Sequence, residues 1–207
     1  MKYPTQPELS RPQLRQLVRQ RRTSLTSDEQ TAAGIALLKQ LKQLPTIHDA
    51  NNIAIYLSSD GEIDTRPTIE WLWQQGKQVV LPVLHPFSKG HLLFINYHAD
   101  SPITHNKYGI VEPKLAQTQI CLLKDIDIIF TPLVAFDHTG QRLGMGGGYY
   151  DRTLEQWFNT GVGPLPIGLA HDCQQVERIP VEDWDIPLPI FVTPNKIWHW
   201  EKSEKSL

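Results

Sequence analysis

The residues with the clearest chemical potential are Gly144-Met145-Gly146-Gly147-Gly148-Tyr149-Tyr150-Asp151-Arg152. Four glycines in five positions let a backbone turn tightly and aim several N–H groups into one concavity. The segment follows the most apolar run of the chain, residues 125–136, across a short turn at 137–140. It then enters a helical pattern, whose N-terminus adds partial positive charge. Such a loop suits phosphate; a plain glycine turn between two elements is the competing reading. Two phosphate motifs are excluded by spacing. Tyr149 occupies the third glycine position of the dinucleotide fingerprint, and no Gly-Lys-Ser/Thr follows as in a P-loop. Arg142, just upstream, can pair with phosphate oxygens. Asp151 either complements the first helical turn or, beside a phosphate, holds a magnesium ion.

A second feature lies near the start of the chain. Arg11, Arg15, Arg19 and Arg22 recur at i, i+4, i+8 and i+11 and form one basic stripe on a helix. Residues 1–22 hold Lys2 and five arginines against Glu8, a local charge of +5. Arg11 and Arg15, one turn apart, are placed to reach an anionic ligand, whereas Arg19 and Arg22 read as a solvated face. A nucleic-acid arm is the third option. The third feature is Tyr56-Leu57-Ser58-Ser59-Asp60-Gly61-Glu62-Ile63-Asp64-Thr65, a strand end, a polar turn and a helix start. Glu62 can accept hydrogen bonds from a polar heterocycle, or be solvated while Asp64 or Thr65 caps the next helix. Spacing alone does not separate these. Tyr108-Gly109-Ile110-Val111-Glu112-Pro113 reads as a structural turn. None of the eight histidines pairs with Cys or His at zinc spacing, and no Gly-x-Ser-x-Gly elbow is present.

These residues need elements to position them. Apolar periodicity predicts helices over 11–22 and 28–44, the second with a Ser27–Gln30 capping box and stopped by Pro45. Further helices are expected over 65–75, ended by Gly76, and 151–158. Strands are expected at 52–57, 78–84, 91–97, 125–136, 165–170 and 196–200, with Pro82 taking the far half of the second out of its ladder. Strands separated by helices imply crossovers and a largely parallel α/β sheet. Ligands of such sheets sit at the carboxyl ends of strands, which is where the Glu62 loop and the glycine loop fall.

Composition bounds the rest. The chain has 207 residues, 40 % hydrophobic and 20 % charged, with net charge −2. That supports one domain with a full core and argues against bulk nucleic-acid binding. Two cysteines read as reduced thiols of an intracellular protein. No stretch approaches the ~18 apolar residues of a membrane span, and no signal peptide is read at the start.

At this point the chain resembles the 5-formyltetrahydrofolate cyclo-ligase family. The match rests on Pro132-Leu133-Val134-Ala135-Phe136-Asp137 followed by Gly140-Gln141-Arg142-Leu143-Gly144-Met145-Gly146-Gly147-Gly148-Tyr149-Tyr150-Asp151-Arg152. The basic first helix, the Leu57…Glu62 loop, the Tyr108…Pro113 segment and Glu182-Asp183-Trp184-Asp185 agree in order. The resemblance implies a single α/β domain, three-layer α/β/α around a mainly parallel sheet, with 1–10 and 201–207 as loosely ordered termini. It implies a cytoplasmic monomer that uses ATP and magnesium to convert 5-formyltetrahydrofolate to 5,10-methenyltetrahydrofolate, with no nucleic-acid or membrane partner. Nucleotide contacts then fall on Arg11, Arg15, Arg142, Leu143, Gly144, Met145, Gly146, Gly147, Gly148, Tyr149 and Tyr150. Folate contacts fall on Leu57, Glu62, Tyr108 and the loop Met145, Gly146, Gly147, Gly148, Tyr149. Catalytic roles fall on Glu62, Arg15, Gly147 and Tyr149, and magnesium ligation on Asp151 and Asp185. Arg11 stands where the family commonly has Lys, which keeps the charge but changes donor geometry. Met145 and Gly147 stand where some relatives carry basic residues, leaving phosphate contacts to backbone N–H groups. The alternatives are a sugar-phosphate or CoA-handling enzyme on a similar sheet, or a non-catalytic binding protein.

Overall fold

The computed structural model describes residues 9–106, 109, 111–114 and 120–200. The expectations for Tyr108 and the termini 1–8 and 201–207 lie outside the described residues. The chain runs α1 (Arg11–Thr23), α2 (Ser27–Leu41), α3 (Pro45–Asp49), β1 (Asn52–Ala54), α4 (Arg66–Gln74), β2 (Gln78–Leu84), β3 (Leu92–Asn96), β4 (Ile103–His105) and β5 (Val111–Pro113). It continues through β6 (Ile120–Cys121), β7 (Ile128–Thr131), β8 (Ala135–Phe136), β9 (Arg142–Leu143), α5 (Tyr149–Thr160), β10 (Leu165–Leu169), β11 (Ile190–Val192) and β12 (Ile197–His199).

Eight strands form the main sheet in the order β12-β11-β10-β7-β1-β2-β3-β6. The five from β11 to β2 are mutually parallel, and β12, β3 and β6 join antiparallel at the two sides. Side chains alternate between faces, as a pleated strand requires. Ile53, Ile55, Val79, Leu81, Ile128, Phe130, Ile167, Leu169, Ile190 and Val192 meet α2, α3 and α4 through Leu37, Leu41, Ile47, Ile69 and Leu72. Ala54, Val80, Ile129 and Phe191 point the other way, onto Leu154 of α5 and Phe136 of β8. The three-layer α/β/α expectation holds.

Several local expectations shift. Thr26 with Glu29, not Ser27 with Gln30, forms the α2 capping box. Pro45 opens α3 after α2 has ended at Leu41. The apolar run 125–136 is not one strand: its first residue, Asp125, closes a 3₁₀ turn that begins at Leu123, Ile128–Thr131 is the central strand, and Ala135–Phe136 pairs with Arg142–Leu143. Pro82 stays in its strand opposite Phe94. The amides that bond β3 alternate with those facing β1, and β1 has already left the ladder at that level, so the missing N–H costs nothing. Tyr108…Pro113 ends in a strand rather than a bare turn, because Val111–Pro113 pairs with Ile103–His105.

All five parallel strands end on one edge of the sheet. The Glu62 loop follows β1, the glycine loop follows β7 through the β8–β9 hairpin, and His171 follows β10. Helix α1 lies across this edge, its Leu14 and Val18 packed on Val134, Ala135, Leu143 and Ile179.

Candidate active site

The basic stripe of α1 is what joins the loops. Arg11 makes a two-pronged ion pair with Asp185 and donates to the Pro180 carbonyl at 3.0 Å. Arg15 donates from Nε to the Gly144 carbonyl at 2.8 Å, and its Nη atoms have no hydrogen-bond partner among the described residues. Arg19 binds Asp60 through 2.7 and 3.0 Å contacts. Arg22 donates to the Asp60 carbonyl (2.8 Å), the Asp60 carboxylate (2.6 Å) and the Leu133 carbonyl (3.2 Å). One helix therefore fixes three loops, with one or two arginines each.

That overturns the solvated reading of Arg22, whose side chain is fully buried. A buried guanidinium survives only when its donors are satisfied, and here a carboxylate and two carbonyls do so. Arg19 is exposed as expected, yet it is paired rather than free. The two guanidiniums hold the Asp60 carboxyl below its ordinary value, with the Arg19 hydrogen bond the main cause. Asp60 itself takes a left-handed backbone, φ 49°, a conformation Asp tolerates better than most residues.

The glycine loop is a row of open donors. No acceptor bonds the amides of Gly144, Met145, Gly146, Gly147 or Gly148 among the described residues. Unpaired N–H groups pointing into one loop make an anion cradle. Gly148 caps α5 at φ 64°, a left-handed position where a side chain is strained. The loop is braced from behind. Arg152 bonds the Gly147 carbonyl and, at 2.7 Å, the Gly90 carbonyl. The Asp137 carboxylate accepts from the Thr139 amide (2.9 Å), the Thr139 hydroxyl (2.7 Å) and the Ile179 amide (3.0 Å), tying the preceding turn to the segment that carries Asp185.

Arg142 is buried beneath the loop and donates to Asp151 at 2.5 Å, while its Nε is buried without a partner. Burial lowers its pKa against the pull of Asp151 and Asp185. Asp151 Oδ1 also accepts from the Ile186 amide at 3.4 Å. Asp185 takes Arg11 on both oxygens and the Glu182 amide at 2.9 Å. Burial works to raise the Asp185 carboxyl, but the Arg11 and Glu182 hydrogen bonds and the nearby positive charges outweigh it and keep it low.

Glu62 sits at the opposite end of α1 from Arg11, half-buried, with Oε2 accepting from the Ser59 amide at 3.1 Å. Burial raises its carboxyl to about 7, against the charge of Arg22 and the Ser59 amide. Its charge reaches the buried hydroxyls of Tyr56 and Tyr150, both raised first by burial. The loop is held by Thr65, whose buried hydroxyl donates to the Tyr56 carbonyl at 2.7 Å instead of capping α4. Gly34 of α2 lets that helix touch the loop: a Cβ there would stand 2.8 Å from the Asp64 carbonyl oxygen. Leu57 packs half-buried on the core beside it.

Of the expected site residues, the structure gathers Arg11, Arg15, Arg142, Leu143, Gly144, Met145, Gly146, Gly147, Gly148, Tyr149, Tyr150, Asp151 and Asp185 around the first two turns of α1, with Leu57 and Glu62 beyond. Leu143 is fully buried against α1, so it supports the loop from the core and exposes no side chain. Sequence reasoning gave no role to Asp60, Asp137 or His171 and read Arg22 as solvated. The His171 ring is buried with Nε2 unpartnered, and its pKa is lowered by burial and then by the Arg22 charge. Asp60 lay inside a loop already singled out, and an acid facing a basic stripe was the available signal.

No group of three or more His, Cys, Asp or Glu side chains converges among the described residues. Magnesium bound to a nucleotide needs only one or two carboxylates, the phosphates and water. Asp151 Oδ2 carries no bond among the described residues, so the donor set fits that pattern, with Asp185 available once Arg11 is drawn off.

Fold and site together define an α/β protein with an anion-receptive glycine loop at the carboxyl edge of a parallel sheet. The model of the 5-formyltetrahydrofolate cyclo-ligase family matches residues 7–194, and the chain belongs to that family of enzymes. It is 52 % identical over 184 residues to the 5-formyltetrahydrofolate cyclo-ligase of Escherichia coli (strain K12), covering 89 % of this chain and 100 % of the relative. The Haemophilus influenzae cyclo-ligase is 50 % identical over 86 % of this chain and 94 % of its own. The NMR structure of Aquifex aeolicus 5,10-methenyltetrahydrofolate synthetase superposes with a TM-score of 0.77 at 30 % identity, over 95 % of each chain. No helix among the described residues is long and apolar enough to cross a membrane.

Proposed function

We propose that this protein converts 5-formyltetrahydrofolate to 5,10-methenyltetrahydrofolate, consuming ATP with magnesium. The observation that carries the reading is the run of unpaired amides at 144–148 beside the open Nη atoms of Arg15. Family membership supplies the substrate class, and the names of the relatives agree.

The formyl group on N5 is amide-like, and its oxygen leaves poorly. Its oxygen attacks the γ-phosphorus of ATP, and the bond to ADP breaks. N10 then attacks the formyl carbon, the ring closes, phosphate departs with the former formyl oxygen, and N10 loses its proton. Phosphoryl transfer asks mainly for positioning and charge stabilisation, so no enzyme nucleophile is required. The 144–148 amides and Arg15 hold phosphate oxygens, and Arg142 adds its charge from beneath the loop. Arg11 is shared between Asp185 and the nucleotide. Glu62 accepts hydrogen bonds from the N–H groups of the pteridine ring, and Leu57 packs beside it. Asp151, then Asp185, hold magnesium, which when bound neutralises charge on the phosphates. Tyr149 and Tyr150 fix the loop at the start of α5.

The test mixes protein, 5-formyltetrahydrofolate, ATP and magnesium and follows the near-UV absorbance of the methenyl product. Absorbance should grow only when ATP is present. Product formed at the same rate without ATP would overturn the phosphorylation route.

A further inference from the structure

The groups bonded along α1 differ chemically from one end of the helix to the other. A helix rises ~1.5 Å per residue, so Arg11 and Arg22 stand roughly 16 Å apart and Arg15 about 6 Å from Arg11. Asp185 marks the first end, Gly144 comes next, and the Asp60–Glu62 loop marks the far end. Phosphates on the glycine loop therefore occupy the middle, and a pteridine on Glu62 occupies one side. The other side, next to Asp185, remains for the rest of the nucleotide.

Trp184, 66 % exposed, immediately precedes Asp185 on the chain. Trp71, Trp73, Trp198 and Trp200 each pack on another ring, but no ring or cation lies on Trp184 among the described residues. Its segment is firmly held. The Ile179 amide bonds Asp137, the Pro180 carbonyl accepts Arg11, and the Ile186 amide bonds Asp151. The Asp185 amide closes a turn on the Glu182 carbonyl at 3.0 Å, and Trp184 lies within it. What distinguishes Trp184 from other exposed apolar side chains is that it sits on a turn fixed to the residues of the candidate site.

The charges beside it say which part of a nucleotide it meets. Glu182 and Asp183 precede it on the same turn, both exposed. Carboxylates repel phosphate, but they accept hydrogen bonds from an exocyclic amine. We infer that Trp184 is the base platform of the nucleotide site, stacking the adenine ring of bound ATP near the Arg11 end of α1. The inference rests on the ATP reading above. It sets the order adenine, phosphates, pteridine along α1, which brings the γ-phosphoryl group toward the formyl oxygen.

The test compares binding of ATP and of inorganic tripolyphosphate, each with magnesium, to the full-length chain by titration calorimetry. Tripolyphosphate carries the charges without the base. Trp184→Ala should weaken ATP about tenfold, or about 1.4 kcal/mol, and leave tripolyphosphate within about twofold of wild type. Trp184→Phe should recover most of the ATP affinity. An alanine variant that binds ATP as wild type does, or that loses both ligands equally, overturns the base-platform role. A wild-type protein that binds neither ligand overturns the ATP reading and this inference with it.

Discussion

Replacing Glu62 by glutamine should make the protein more stable and less active. Glutamine keeps the shape and can still accept from the Ser59 amide, but it cannot ionise. Burial moves the Glu62 carboxyl from an ordinary 4.5 to about 7. At about 1.4 kcal/mol for each tenfold change in acidity, the ionised form costs the fold about 3 kcal/mol. Part of the carboxyl remains in water, so about 2 kcal/mol is the working figure. The sign follows from proton binding. Between pH 4.5 and about 7 the native state holds a proton that the unfolded chain releases, so this group's stabilising share is lost as pH rises. Urea unfolding of wild type and Glu62→Gln at pH 5 through 8 reads it directly. The stability advantage of the variant should be smallest at pH 5 and about 2 kcal/mol larger by pH 8, while turnover with 5-formyltetrahydrofolate falls at least tenfold. A difference in stability that does not change with pH refutes the argument that Glu62 is held in a desolvated site.

Other perturbations probe other parts of the account. Arg22→Met removes the buried guanidinium but leaves Asp60 on Arg19; it should cost about 3 kcal/mol in urea unfolding and raise the KM for folate more than that for ATP. Gly148→Ala places a side chain at φ 64°, where its Cβ would stand 2.8 Å from Arg152 Nη1; a stability loss of about 1–2 kcal/mol and a raised KM for ATP should appear in melting and rate measurements. Asp151→Asn removes the ionic partner of buried Arg142; turnover should fall and should not return at high magnesium, and full ATP-dependent turnover would contradict its role as a ligand. Arg15→Gln removes one part-buried hydrogen bond, to the Gly144 carbonyl; it should cost about 1 kcal/mol in thermal melting but weaken ATP about tenfold.

Much of the candidate site could be read from residue types, because it is concentrated in a short glycine-rich segment whose amides have no acceptor among the described residues. The layers were legible for a similar reason: β1, β2, β7 and β10 are apolar runs, and the helices between them keep a 3.6-residue period. Other elements carry no local signal. β11 is three residues set between Pro189 and Pro194 and owes its strand form to pairing with β10 and β12. Arg22 continues the polar stripe of Arg15 and Arg19, and only the arrival of Asp60 and the Leu133 carbonyl buries it. Pro82 reads as a ladder breaker, yet tolerance depends on which side of the strand its missing amide faces, and that is set by how far β1 extends. Each shortfall concerns a residue whose state is decided by a distant partner.

The central claim is that the glycine loop and Arg15 deliver a phosphoryl group to the formyl oxygen rather than merely bind an anion. The most direct measurement uses 5-formyltetrahydrofolate labelled with ¹⁸O in its formyl oxygen and follows the label after one turnover with ATP. One labelled oxygen should appear in inorganic phosphate for each methenyl product and each ADP formed. Label appearing in water, with unlabelled phosphate, would contradict that claim.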